Sequence, residues 1–162
     1  MDVGVSMKLT YKKGCLISAL KNREVEAIAH QANCFCVMKS GIAPLIADEW
    51  PEVRKVDNLT AKGDKDKMGH FTFAKVPEGK IFNIYGQYHW NRRDAGYGTS
   101  YEHLGMGLSG VADFMVNNKI QTLGLPRIGC GLAGGDWGIV EHLIKHHFAH
   151  TDIEVTVYEL EK

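Results

Sequence analysis

Leu125-Pro126-Arg127-Ile128-Gly129-Cys130-Gly131-Leu132-Ala133-Gly134-Gly135-Asp136-Trp137 is a glycine-rich stretch between two apolar segments. Thr122 to Leu125 reads as a short buried strand that leads into it. Ile139 to Phe148, after it, carries apolar residues at helical spacing. Strand, glycine loop, helix is the arrangement that lets bare backbone N–H groups surround a phosphate. Four glycines fall within the seven residues Gly129–Gly135, so this backbone can approach a ligand closely and take positive φ. The stretch points to a nucleotide-like ligand. It is neither common glycine fingerprint. The Gly-Lys-Ser/Thr ending of a P-loop is absent, and so is G-x-G-x-x-G spacing with a following ribose acid.

Outward from that loop, the rest of the chain alternates in the same way. Met7 to Tyr11 reads as a first strand, ended by Lys12-Lys13-Gly14. Val25 to Gln31 is an apolar run bounded by charges and by Asn33, the pattern of a buried strand. Ser40-Gly41-Ile42-Ala43-Pro44-Leu45-Ile46-Ala47 opens a helix, with proline tolerated in the first turn. Lys55 to Lys67 is charged and expected at the surface. Phe71 to Val76 and Lys80 to Tyr85 are strands joined by Pro77-Glu78-Gly79, a turn signal. Gln87 to Thr99 is a polar, aromatic loop long enough to serve as a lid or rim. Ser100 begins a helix to about Asn117, with Leu104, Leu108, Val111, Ala112 and Met115 on one stripe. A helix to about His150 and a strand from Ile153 to Tyr158 complete the chain. The expected fold is a three-layer α/β/α sandwich with a mixed, mainly parallel sheet. Ligands of such folds bind beyond the carboxyl ends of the strands.

The 162 residues predict one domain, 1–162, that buries roughly 70% of its unfolded surface. Nineteen basic and nineteen acidic side chains cancel, which argues against a protein held to nucleic acid by phosphate neutralisation. No apolar run approaches the ~20 residues that span a bilayer, so no membrane partner is expected. Met1 to Lys8 lacks signal-peptide form. Cys15, Cys34, Cys36 and Cys130 are expected as free thiols packed in or near the interior of a cytoplasmic protein. His142, His146 and His150 recur at a zinc-compatible spacing, but without the metalloprotease glutamate they read as an exposed histidine face. Cys34-Phe35-Cys36 is too close for a zinc knuckle. Neither a metal nor a cofactor is expected. Oligomeric state is not encoded in any visible pattern.

Two loops follow buried strands and precede helices: Gln31 to Gly41, and Ile128 to Asp136. If their strands are parallel neighbours, both loops meet at one sheet edge. Two helix N-termini and two runs of backbone N–H groups then converge on one anion, for which a diphosphate is the natural guest.

Ala27-Ile28-Ala29-His30-Gln31-Ala32-Asn33-Cys34, followed by Lys39-Ser40-Gly41-Ile42-Ala43, resembles the first ligand loop of macro domains, the ADP-ribose-binding modules. Leu125 to Leu132 resembles their phosphate-cradling loop. Tyr11-Lys12-Lys13-Gly14-Cys15-Leu16 looks like the family's first strand and adenine-contacting turn, and Val155-Thr156-Val157-Tyr158 like its last strand. The likeness spans about residues 8–160. It is nearest to the branch of ADP-ribose-1″-phosphate phosphatases and terminal ADP-ribose glycohydrolases. It implies that Asn33 bonds the distal ribose, that Ser40, Gly41 and Ile42 face the diphosphate, and that Ile128, Gly129, Cys130, Gly131 and Leu132 wrap it from the other side. Cys15 and Leu16 would meet adenine, with Tyr158 lining its pocket.

Departures from the family matter too. The Gly-Asp turn is Gly14-Cys15 here, so the acid that receives the adenine amino group is missing. Terminal glycohydrolases carry a lysine and an acid where this chain has Gln87 and Ala133, which disfavours a lysine-linked mechanism. The catalytic candidates left are His30, Asn33 and Asp136. His30 is either a general base or acid near the phosphate loop or a core histidine bonded to backbone. Asp136 is either a helix N-cap or a catalytic or ribose-contacting acid. Lys39 either pairs with a terminal phosphate or is a solvated lysine. The function expected first is hydrolysis of ADP-ribose-1″-phosphate to ADP-ribose and phosphate. The alternatives are removal of ADP-ribose from protein or nucleic acid, and non-catalytic reading of ADP-ribose.

Overall fold

Ala27–Asn33 is a strand with six of its seven residues buried. A strand covered on both faces belongs in the middle of a parallel sheet, and that is where it lies. The computed structural model describes residues 7–90 and 98–160. In chain order the elements are β1 (Lys8–Lys13), α1 (Leu16–Lys21), β2 (Ala27–Asn33), α2 (Ala43–Glu49) and α3 (Pro51–Asn58). After a 3₁₀ turn at Lys65–Lys67 come β3 (Phe71–Val76), β4 (Gly79–Gln87), α4 (Tyr101–Asn117), β5 (Thr122–Leu125), α5 (Trp137–His147) and β6 (Glu154–Glu159). The strand order is β1-β6-β5-β2-β4-β3. All neighbours are parallel except the β3–β4 hairpin, so the sheet is mixed and mainly parallel.

Alternation along β2 divides the core. Ala27 and Ala29 join Leu104, Leu108, Val111 and Met115 of α4 and Val140 and Ile144 of α5. Ile28 faces the other way, toward Leu16 and Leu20 of α1, Ile46 of α2 and Val53 of α3. Helices therefore cover both faces, giving the α/β/α sandwich. The helix α4 can rest on the sheet at Ile84 because residue 107 is glycine. A Cβ there would sit 2.4 Å from Ile84 Cγ2.

Several local expectations need correction. α1 has no counterpart in the sequence reading. The helix expected from Ser40 starts at Ala43, and Trp50 (φ −129°, ψ 89°) separates it from α3. Pro51 accounts for the break, since the residue before a proline is pushed out of the helical region. Lys55 to Lys67 is not uniformly exposed. Asp57 is buried because the Tyr85 hydroxyl donates to its Oδ1 at 2.7 Å. Lys67 is buried because its Nζ donates to the Cys34 carbonyl at 2.9 Å and to Thr60 Oγ1 at 2.7 Å. Residues 91–97 of the aromatic loop, including Arg92, Arg93 and Tyr97, lie outside the described residues.

The cysteines are unpaired, with Cys34 buried and the others partly so. His142, His146 and His150 are exposed along α5 and the turn after it. Among the described residues no cluster of three or more His, Cys, Asp or Glu side chains could hold a metal, and no helix is long and apolar enough to cross a membrane.

Candidate functional site

β2 and β5 are parallel neighbours, with Ala27 beside Leu123 and Ile28 beside Gly124. The loops that follow them therefore open at the same edge of the sheet. Between them lies a cleft. Its floor is His30, Gln31 and Asn33 at the end of β2. One wall is Val37 and Ser40 to Ala43. The other is Pro126 to Gly129 with Gly131, Leu132 and Ala133. Gln87, the last residue of β4, and Trp90 beyond it close one end.

The glycine loop is held open by bonds within itself. The Ile128 and Cys130 amides donate to Pro126 and Arg127, and the Gly134 and Gly135 amides to Gly131 and Gly129. The turns need φ of +76° at Gly129 and +78° at Gly134, which glycine reaches without strain. Those bonds leave the amides of Gly129, Gly131, Leu132 and Ala133 without a partner among the described residues. All four residues line the cleft. Opposite them, Gly41 takes φ +65° with open space before its Cα. Thr99 braces the loop from outside, donating Oγ1 to the Gly129 carbonyl at 2.6 Å and N–H to Ala133 at 3.1 Å.

The sequence candidates divide into four groups. His30, Asn33, Ser40, Gly41, Ile42, Gln87, Ile128, Gly129, Gly131 and Leu132 all line the cleft. Asn33 is already engaged, its Nδ2 donating to the Val37 carbonyl at 2.7 Å and its Oδ1 accepting from Phe35 N–H at 2.9 Å. It shapes the first loop and keeps one N–H for a ligand. Lys39 is exposed and does not line the cleft, and Cys130 turns its thiol to the Ile128 carbonyl at 3.5 Å. Cys15, Leu16 and Tyr158 form a separate group. Cys15 caps α1 through its backbone, while Leu16 and Tyr158 pack around Gly124, beside the cleft rather than in it.

Asp136 takes the first of the two roles open to it, that of an N-cap. It does not line the cleft. Its carboxylate accepts from the Gly138 and Ile139 amides at 2.8 and 3.4 Å and so caps α5. The positive end of that helix already carries an anion. Of the two helix N-termini expected to converge on the ligand, only that of α2, at Ile42 and Ala43, lines the cleft; on the opposite wall loop amides stand in its place.

Gln31, Val37, Ala43, Trp90, Pro126, Arg127 and Ala133 also line the cleft and were not among the expected site residues. Gln31 had only its place at the end of β2, where the strand opens into the first loop, as a signal. Trp90 had only its place in a suspected rim as a signal.

His30 is 1% exposed. Burial lowers its pKa to about 4, partly offset by the hydrogen bond to Asn83, so the ring is neutral at physiological pH. Its Nδ1 and the Oε1 of Gln31 are enclosed acceptors without partners. The cleft thus combines amide donors along one wall with enclosed, unpartnered side-chain atoms beneath its floor. The amide wall suits an anionic ligand.

No family model matches the sequence. The 17.5 kDa protein of the tk-vs intergenic region of Enterobacteria phage T4 is 28% identical, over 94% of this chain and 98% of its own length. The ADP-ribose glycohydrolase OARD1 of Homo sapiens is 31% identical, over 94% of this chain and 92% of its own. Among solved structures, the macrodomain of Thermus aquaticus DarG matches with a TM-score of 0.76 and 23% identity, covering 94% of this chain and 99% of that one.

Proposed function

Because the chain belongs to the macro domain family, we propose that its cleft binds ADP-ribose and that the protein hydrolyses a derivative of it. The observation that carries this reading is the row of unpartnered amides at Gly129, Gly131, Leu132 and Ala133, facing Gly41 across one cleft. A diphosphate between the two walls accepts from those amides. The distal ribose then lies over the floor, toward His30, Asn33 and Gln87. Adenine extends toward Leu16 and Tyr158.

The first substrate is ADP-ribose-1″-phosphate. Water attacks phosphorus, the bond between phosphorus and the sugar oxygen breaks, and that oxygen leaves with the electron pair and gains a proton. The products are ADP-ribose and inorganic phosphate. Neutral His30, on the floor, takes the proton of the attacking water. Gln87 and Ala133, both lining the cleft, support this choice over glycosidic chemistry, since the family's glycohydrolase lysine and acid are absent there.

The likeness to a relative named as an ADP-ribose glycohydrolase favours a second reading, in which water attacks the ribose carbon and releases ADP-ribose from a modified macromolecule. Incubation with ADP-ribose-1″-phosphate and, separately, with a protein ADP-ribosylated on acidic side chains separates the two. Phosphate release from the first is expected, with His30→Ala lowering kcat at least about tenfold while ADP-ribose binding persists. Release of ADP-ribose from the second substrate alone would install the glycohydrolase reading. Binding without turnover of either would make the protein a reader.

A further inference from the structure

His30, Asn83 and Thr72 stand side by side in one row across three strands. His30 of β2 is in register with Asn83 of β4, and Asn83 with Thr72 of β3. His30 and Asn83 are fully enclosed, and polar groups in such a layer must satisfy one another.

The directions of their hydrogen bonds can be deduced. Asn83 Nδ2 lies 3.3 Å from the Val53 carbonyl and 3.1 Å from Thr72 Oγ1. A carbonyl only accepts, so the nitrogen end of the amide must face Val53. The oxygen end faces His30 Nε2 at 2.6 Å. An amide oxygen also only accepts, so Nε2 carries the ring proton. Further along, Tyr85 donates its hydroxyl to Asp57 Oδ1 at 2.7 Å, which leaves its oxygen to accept from Thr72 Oγ1 at 3.0 Å. Each donor from His30 through Asn83, Thr72 and Tyr85 points the same way, and the chain ends on a carboxyl group. Aligned bonds of this kind polarise and reinforce one another. The opposite tautomer would set the Nε2 lone pair against the Asn83 oxygen.

At the other end of the ring, Nδ1 has a lone pair and no partner; the atom is enclosed, beneath the cleft that His30 helps to line. We propose that Asn83, Thr72, Tyr85 and Asp57 form a positioning relay that holds His30 as the Nε2–H tautomer, so that Nδ1 accepts a hydrogen bond from a water or ribose hydroxyl in the cleft. The identity of the ligand rests on the ADP-ribose reading; the tautomer does not. An ionised phosphate oxygen has no proton to give and would meet a lone pair at Nδ1. His30 therefore serves the attacking water or a sugar hydroxyl. It acts as a base or orienting acceptor and does not hold the phosphate.

The test is the ¹⁵N NMR spectrum of the His30 ring in the full chain. A pyrrole-type Nε2 and a pyridine-type Nδ1 are expected without ligand. A protonated Nδ1, or an even mixture of tautomers, overturns the proposal. Asn83→Leu should produce that mixture and lower kcat about tenfold with KM little changed. Thr72→Val, at the less buried edge strand, is the gentler cut and should shift the Nε2 signal. If both variants fold and leave the ring signals where they were, the relay is overturned. If Asn83→Leu does not fold, Thr72→Val alone decides. Adding ADP-ribose should move the Nδ1 signal toward the hydrogen-bonded position. Bound ADP-ribose with an unmoved Nδ1 overturns the acceptor role. Failure of ADP-ribose to bind overturns the functional reading instead, and the ligand-free tautomer still decides the relay.

Discussion

Thr99 donates its hydroxyl to the Gly129 carbonyl at 2.6 Å and accepts from Gln31 Nε2 at 2.9 Å. One side chain thus joins the end of β2, the approach to α4 and the glycine loop. Thr99→Val keeps the shape and deletes both bonds. Gly129 retains the Gly135 amide as a donor, but Gln31 Nε2 loses its partner. The expected cost is about 1 kcal/mol of stability, read by urea unfolding. ADP-ribose affinity should fall about tenfold by calorimetry, because the loop amides lose their brace. Unchanged affinity would show that the loop holds its shape without Thr99.

Two glycines of that loop should behave oppositely. A Cβ on Gly135 would stand 2.5 Å from the Gly129 carbonyl oxygen, which is backbone and cannot swing aside. Gly135→Ala should cost about 2 kcal/mol and distort the loop. Gly131 has nothing within 4 Å of the same position. Gly131→Ala should leave the melting temperature unchanged, yet weaken ADP-ribose binding, since its methyl group enters the space assigned to the diphosphate. Equal losses of stability in both variants would contradict this geometry.

What could be read in the sequence follows from the range of the interactions involved. β5 falls on Thr122–Leu125 and α4 starts after its Ser100 cap as expected, because strand runs and caps are local signals. α1 is six residues long, and its Cys15 cap makes no side-chain bond, so no local signal marks it. The burial of Asp57 and Lys67 depends on Tyr85, Cys34 and Thr60. Distant partners of that kind leave no trace in a charged stretch. The same applies to the site. The glycine loop and the end of β2 were visible as motifs. The partnership of His30 with Asn83 depends on strand register across 53 positions, which periodicity does not reveal.

Asp136 provides a direct separation of structure from chemistry. Its carboxylate caps α5 through the Gly138 and Ile139 amides, away from the cleft lining. Asp136→Ala should cost about 1 kcal/mol of stability, and Asp136→Ser should restore most of it. Turnover of ADP-ribose-1″-phosphate, measured well below the melting temperature, should stay within about twofold of wild type in both. A collapse of kcat in the serine variant would make Asp136 a catalytic group and displace the capping account.

Burial of neutral His30 makes the fold sensitive to acid in a defined window. The ring titrates at 6.5 when exposed in the unfolded chain and at about 4 in the fold, with desolvation as the main cause. Between those values the unfolded chain binds a proton that the fold refuses, so stability rises with pH and falls as the solution is acidified. Above about pH 6.5 both states hold a neutral ring and the effect vanishes. Below about pH 4 both are protonated and the penalty levels off, at on the order of 3 kcal/mol. His30→Gln keeps an N–H donor for Asn83 but cannot titrate. Urea unfolding across that range should show the wild type losing stability relative to His30→Gln as pH falls. Comparing the two proteins cancels the other titrating groups, including Asp57, whose raised pKa acts in the opposite direction. A constant difference across the window would mean that His30 is protonated as easily in the fold as in the unfolded chain. In that case burial would not be what keeps the ring neutral.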